Sequence, residues 1–308
     1  MISLREAFGK YLLELARNRD DFFVLDADVA GGTFTHWFRD KYPERFVECG
    51  IAEQNMFGVA AGLSTLGIIP IVTTYAVFAS MRAIEQARNS IAYPNFNVKI
   101  VASHPGIDTG PDGATHQAIE DLAIYRSIPN FVVLSPADDI ELKQCLNCAL
   151  DHKGPVYIRT GRSPVPTIHE EGYKFNLGNP DVIFEGEKDI ILFGCGITSH
   201  RVLNVAKKLG ITAVNVPTLK PINREDFVNV LKPAKIAITV EDHNIIGGLG
   251  DLIGSVISGN GLCTKLIKMG VQDKFGKSGD PIELAKLYGI DESSIENTAK
   301  EVINEIKG

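Results

Sequence analysis

Short apolar runs alternate with amphipathic stretches along nearly the whole chain, and this alternation restricts the possible folds more than any other feature. FFVLDAD (22–28), RFVECG (45–50), IIPIVTT (68–74), NVKIVAS (97–103) and FVVLSP (131–136) are such runs in the first half. KDIILFGCG (188–196), ITAVNVP (211–217) and KIAITVED (235–242) continue the pattern in the second. Strands apolar on both faces need cover on both faces, so the pattern predicts α/β architecture with mainly parallel sheets and helices on either side. The first helix is legible in SLREAFGKYLLELARNR. Leu4, Ala7, Phe8, Tyr11, Leu12 and Leu15 share one face, and Ser3 stands at the N-cap position. In such a fold ligands lie beyond the carboxyl ends of the strands, so the loops there are where chemistry is expected.

A chain of 308 residues exceeds one ordinary domain. The composition breaks after Arg162, where SPVPTIHEEGYKFNLGNPD carries three prolines and no long apolar run. We therefore expect two doubly wound domains, at 1–164 and 181–308, joined by an ordered linker at 165–180. The formal charge of −7 gives nucleic acid or an anionic membrane no electrostatic foothold, so an anionic substrate must rely on a few local cations. The uncharged stretch from Asn55 to Met81 is long enough to span a bilayer. Gly58, Gly62, Gly67 and Pro70 break it into a helix, a turn, a strand and a second helix from about Phe78. Cys145 and Cys148 form a lone C-x-x-C on a helical stretch, which reads as core packing and not as a metal site. Arg5 and Glu6 interrupt any leader-like apolar run, and a cytoplasmic location is expected.

The loop after NVKIVAS is the richest in chemistry. HPGIDTGPDGATHQ holds His104, Asp108, Asp112 and His116 amid glycines and prolines that let backbone fold tightly. The residues alone allow a substrate loop, a metal site or a structural loop, although the spacing matches no standard zinc pattern. Glu53 opens an otherwise apolar helix. It is either a carboxylate favoured by the helix dipole or a desolvated one that needs a ligand nitrogen. Phe78 can be a core ring or a stacking platform. Arg5, Arg159 and Arg162 stand near strand ends and can grip a phosphate. GGLGD (247–251) is a weak phosphate-loop pattern.

Together GIAEQNM, HPGIDTGPDGATHQAIEDLA, TYAVFASMRAIEQ, YIRTGR and EDHNIIGGLGD resemble segments of the transketolases. These are thiamine-diphosphate enzymes that move two-carbon ketol units from ketose phosphates to aldose phosphates in the pentose phosphate pathway. The resemblance covers the pyrimidine-binding and C-terminal domains. No GDG…N magnesium motif of the diphosphate-binding domain occurs here, so the resemblance implies the C-terminal subunit of a split transketolase. An N-terminal partner would then supply the Mg2+ and diphosphate ligands in an α2β2 assembly, and no metal ligand is expected on this chain. It further implies that Glu53 contacts the aminopyrimidine and that Tyr75 and Phe78 form its aromatic wall. His104 and His116 would assist proton transfers, His116 also beside the cofactor. Asp112 would read a substrate hydroxyl, and Arg5, Arg162 and His104 would hold the sugar phosphate. A phosphate-binding serine of the family falls at Gly32, and Thr33 or Thr35 is expected to replace it. Alternatives are the β subunit of a 2-oxoacid dehydrogenase, half of a deoxyxylulose-phosphate-synthase-like enzyme, or a non-catalytic scaffold subunit. The second histidine of DGATHQ favours transketolase over the other enzymes.

Overall fold

The computed structural model describes residues 1–307. Ile2–Ser3 (β1) leads into a helix over Leu4–Leu15, whose N-cap Ser3 accepts a hydrogen bond from the Glu6 amide as the sequence predicts. The strands that follow are Phe22–Asp26 (β2), Phe46–Glu48 (β3), Ile69–Tyr75 (β4), Lys99–Ser103 (β5), Val132–Leu134 (β6), Val156–Thr160 (β7) and Pro164–Val165 (β8). Those of the second half are Asp181–Phe184 (β9), Glu187–Gly194 (β10), Ile211–Asn215 (β11), Thr218–Lys220 (β12), Ile236–Asn244 (β13) and Lys265–Val271 (β14). Among the described residues, one sheet has seven strands in the order β12-β6-β7-β5-β4-β2-β3 and a second has five in the order β14-β13-β10-β11-β9. Within these two sheets all pairings are parallel except those of β12 and β9, each at a sheet edge, while β1 and β8 form a separate antiparallel pair. This is the mainly parallel α/β class that the apolar runs require.

Alternation along the strands shows why both faces must be covered. Val24, Ile71 and Val101 join one apolar cluster with Phe8, Leu12 and Leu146, while Leu25, Val72 and Ile100 join another with Met56, Phe57 and Ala60. Neighbouring residues on a strand point to opposite faces, so each run serves two cores at once. The expected helix from about Phe78 is different in kind. Phe78–Arg82 and Ala87–Ala92 are wider π turns on either side of a single α turn, Ile84–Gln86. Such turns re-aim side chains and recur at functional sites. No helix among the described residues is long and apolar enough to cross a membrane.

The two halves are less separate than the composition break implies. β12 leaves the second half and pairs antiparallel with β6, Thr218 opposite Leu134, so it completes the first sheet. Phe193, Val214, Val216, Leu219 and Phe227 share one apolar cluster with Leu25, Met56 and Tyr157. The intervening segment is docked by charge. His169 bonds Asp138 through Nδ1 and Asp181 through Nε2, each at 2.8 Å, and Tyr173 donates to Glu141 at 2.7 Å. Burial alone would lower the His169 imidazole, but its two carboxylate partners outweigh burial and push it up to about 10. Glu141, His169 and Asp181 are also the one grouping among the described residues with metal-like spacing. Asn215, Tyr173, Asp138 and the Ala137 amide already bond these side chains.

Candidate active site

The carboxyl ends of β4 and β5 bring together four rings that are far apart in sequence. Tyr75 closes β4, and its ring centroid lies 4.1 Å from His104, 5.8 Å from Phe78 and 6.4 Å from His116. Phe78 meets His116 edge-on at 5.4 Å. His104, directly after β5, adopts φ +58°, and its carbonyl accepts from Thr109 Oγ1 at 2.7 Å. Its Nδ1 shares a hydrogen bond with Ser103 Oγ at 2.9 Å. Burial lowers the His104 imidazole to about 3, helped by the charges of Arg5 and Arg162 and by His116, so the ring is neutral at physiological pH.

The second half holds this loop in place. The amides of Ile107 and Asp108 donate to the two carboxylate oxygens of Asp242, at 2.8 and 3.1 Å. The approach is so close that a Cβ at Gly106 (φ +68°) would lie 2.3 Å from Asp242. Burial and the nearby Asp108 charge push Asp242 up to about 6. The adjacent glycine turn has a local role too. Glu241 accepts from the amides of Leu249 and Gly250, at 2.7 and 2.9 Å. Its carboxylate therefore fills the helix start in GGLGD, and the phosphate-loop reading of that motif is withdrawn.

The three arginines separate by role. Arg5 Nη1 donates to the Gly32 carbonyl at 3.0 Å and Nε to the Arg162 carbonyl at 3.4 Å. Arg162 pairs with Asp112 at 3.3 Å and also donates to the Thr109 carbonyl. These two cations flank the histidine loop. Arg159 is buried elsewhere: its guanidinium forks onto Asp121 at 2.5 and 2.8 Å and reaches the Asp242 carbonyl at 3.2 Å. Thr33 corrects an expectation. Its hydroxyl lies inside the fold, 3.1 Å from Asp26, a carboxylate that also accepts from Thr35 at 2.8 Å and Thr73 at 2.7 Å. Both threonines are buried and committed to Asp26, so neither reaches the loop to replace a phosphate-binding serine.

Glu53 begins the helix Glu53–Ser64 and is only 4% exposed. Arg82 is the partner that sequence reasoning missed. Its Nη1 lies 3.0 Å from Glu53 Oε1, while its guanidinium carbon stands 3.9 Å above the Phe78 ring centroid. The only sequence clue was the four-residue interval between Phe78 and Arg82. An aminopyrimidine is likewise a flat group with ring-edge N–H donors, and it needs a face to stack on and a carboxylate to meet its nitrogens. Arg82 satisfies both requirements in one seat, so Glu53 and Phe78 are chemically suited to such a ring.

Fold and site place the chain in the α/β class whose ligands lie across the carboxyl edge of a parallel sheet. Residues 1–167 match the family model of the transketolase pyrimidine-binding domain, and residues 181–295 match that of the transketolase C-terminal domain. The chain belongs to the transketolase family, whose members depend on thiamine diphosphate. It is 44% identical to a putative transketolase C-terminal section from Methanocaldococcus jannaschii, over 99% of this chain and 96% of that protein. It is 33% identical to rat (Rattus norvegicus) transketolase, over 98% of this chain but 49% of the rat protein. A solved split-gene transketolase, described as an inactive β4 tetramer, superposes with a TM-score of 0.90 at 42% identity, covering 98% of both chains.

Proposed function

We propose that this chain is the C-terminal, pyrimidine-binding subunit of a two-chain transketolase that moves a ketol unit from a ketose phosphate to an aldose phosphate. The observation that carries the proposal is the seat formed by Glu53 and Phe78, set against the histidine loop through the Phe78–His116 contact. When bound, thiamine diphosphate supplies the carbon nucleophile and the electron sink for ketol transfer. Glu53 would hold the proton at the pyrimidine nitrogen in place of its bond to Arg82, and Phe78 would stack on the ring. Tyr75 packs behind Phe78 as the second aromatic of that wall. His104, held neutral, and His116 border the same aromatic cluster and can exchange protons with substrate oxygens. Asp112, once released by Arg162, is free to accept from a sugar hydroxyl. Co-expression with an N-terminal partner, then assay with xylulose 5-phosphate and ribose 5-phosphate, tests the proposal. It fails if the purified complex transfers no ketol unit.

Mg2+ and the groups that hold the diphosphate belong, on this reading, to the partner in an α2β2 assembly. Support comes from the split-gene relative, matched over nearly its full length, and from rat transketolase, of which this chain spans about half. Without the partner the cofactor loses its charge-based anchorage. The isolated chain is therefore expected to bind thiamine diphosphate weakly and to show no turnover, consistent with the inactive tetramer of that relative. Steady-state assay and calorimetry of the lone chain check this, and robust ketol transfer by it would contradict the proposal.

Arg162 is the proposed principal phosphate ligand, with Arg5 and His104 beside it. A guanidinium offers paired donors to phosphate oxygens, each contact worth roughly 1.5–3 kcal/mol. Arg162→Ala is expected to raise KM for ribose 5-phosphate by about 10- to 100-fold and to change KM for free ribose little. Equal losses with both acceptors would remove Arg162 from the phosphate site.

A further inference from the structure

We propose that the Tyr75 hydroxyl is a direct hydrogen-bond donor to the substrate phosphate, lodged in the space that glycine at position 32 leaves open. The proposal rests on the transketolase reading for the identity of the substrate, but its geometry comes from this chain alone. A Cβ at Gly32 would lie 2.3 Å from the Tyr75 hydroxyl oxygen and 3.0 Å from its Cε1. The hydroxyl thus occupies the volume that any side chain at position 32 would fill. The Gly32 carbonyl accepts from Arg5 Nη1 at 3.0 Å, which places the phenol beside that guanidinium.

Three features point from this placement to an anion. Arg5 donates both to the Gly32 carbonyl, beside the phenol, and to the Arg162 carbonyl at 3.4 Å, so an anion held by Arg5 at this end of the loop lies next to the Tyr75 hydroxyl. Two rings pack against that of Tyr75, His104 at 4.1 Å and Phe78 at 5.8 Å, so the hydroxyl is aimed and not swinging. Tyr75 is partly exposed, and among the described residues no protein group forms a hydrogen bond with its hydroxyl, which leaves it free to donate to a ligand. Burial raises the phenol above its ordinary range, and the Asp112 charge adds to this, so the group keeps its proton and donates. With Thr33 and Thr35 turned inward onto Asp26, the Tyr75 hydroxyl is the one that fills the space beside Gly32, whose carbonyl Arg5 holds.

The test uses the reconstituted two-chain complex and the variants Tyr75→Phe, Gly32→Ala and the double variant Gly32→Ser/Tyr75→Phe. Tyr75→Phe keeps the aromatic wall and removes one donor. It is expected to raise KM for ribose 5-phosphate about tenfold relative to KM for free ribose, with any change in kcat the same for both acceptors. Gly32→Ala pushes on the phenol and is expected to act in the same direction. The double variant puts a hydroxyl back from position 32, where loss of the phenol oxygen removes the 2.3 Å approach and the ring need give by only a few tenths of an ångström, and is expected to recover part of the lost affinity. Calorimetric titration with ribose 5-phosphate and with ribose reads the same difference without turnover. A complex that lacks ketol transfer but still loses phosphate-selective binding in Tyr75→Phe would refute the transketolase reading and keep this one. Unchanged binding of ribose 5-phosphate in Tyr75→Phe, or an equal loss for both sugars, would overturn it.

Discussion

Replacing Glu53 by glutamine is expected to lower kcat of the reconstituted complex by roughly 10²- to 10⁴-fold, with thiamine diphosphate and both sugars saturating. The amide is nearly isosteric, so its oxygen can still accept from Arg82, which now lies 3.0 Å from Oε1, and the fold should survive. What disappears is the carboxylate that, on the proposed reading, would hold or release a proton at the cofactor ring. The loss should therefore sit in the chemical step and not in KM. Single-turnover rates alongside thermal melting separate the two effects. Near-normal turnover in Glu53→Gln would mean that the residue only favours its helix start.

Arg159→Met is expected to cost roughly 3–5 kcal/mol of stability, because it strands a buried carboxylate. Asp121 is fully buried and takes both arms of the guanidinium, with a further hydrogen bond from the Tyr157 hydroxyl at 2.6 Å. Burial would raise the Asp121 carboxyl, yet Arg159 outweighs it and keeps the group below the ordinary carboxylate range. Removing Arg159 returns the whole desolvation penalty to Asp121. The damage should be partly relieved in the double variant Arg159→Met/Asp121→Asn, where no charge remains unpaired. Urea unfolding of the single and double variants measures this. The preference of the surviving enzyme for ribose 5-phosphate over ribose should not change, in contrast to Arg162→Ala. A phosphate-selective loss in Arg159→Met would assign that arginine to the substrate instead.

The contrast between Arg159 and Arg162 shows how far local pattern carries. A strand period of two separates the faces of β7, and Arg159 does turn into the fold. That its partner is Asp121 depends on how the helix Asp121–Ser127 packs, which no spacing records. Thr33 failed as a phosphate ligand for a similar reason. A hydroxyl in a loop after a strand can face either solvent or core, and the buried Asp26 carboxylate takes three hydroxyl donors besides the Val29 amide to offset its desolvation.

By itself the sequence determined the α/β class, eight of the strands (β2 to β6, β10, β11 and β13), the helix capped by Ser3 and the candidate residues of the histidine loop. These depend on periodicity, capping and the backbone freedom of glycine and proline, all of which act over a few residues. Tertiary structure alone decided that β12 completes the first sheet and that Asp242 from the second half clamps the histidine loop. It also decided that Arg82 lies between Glu53 and Phe78 and that the Tyr75 hydroxyl fills the space beside Gly32. Each of these is a contact between segments that only packing brings together. Packing is set by the summed burial of whole faces, and no local pattern carries that sum.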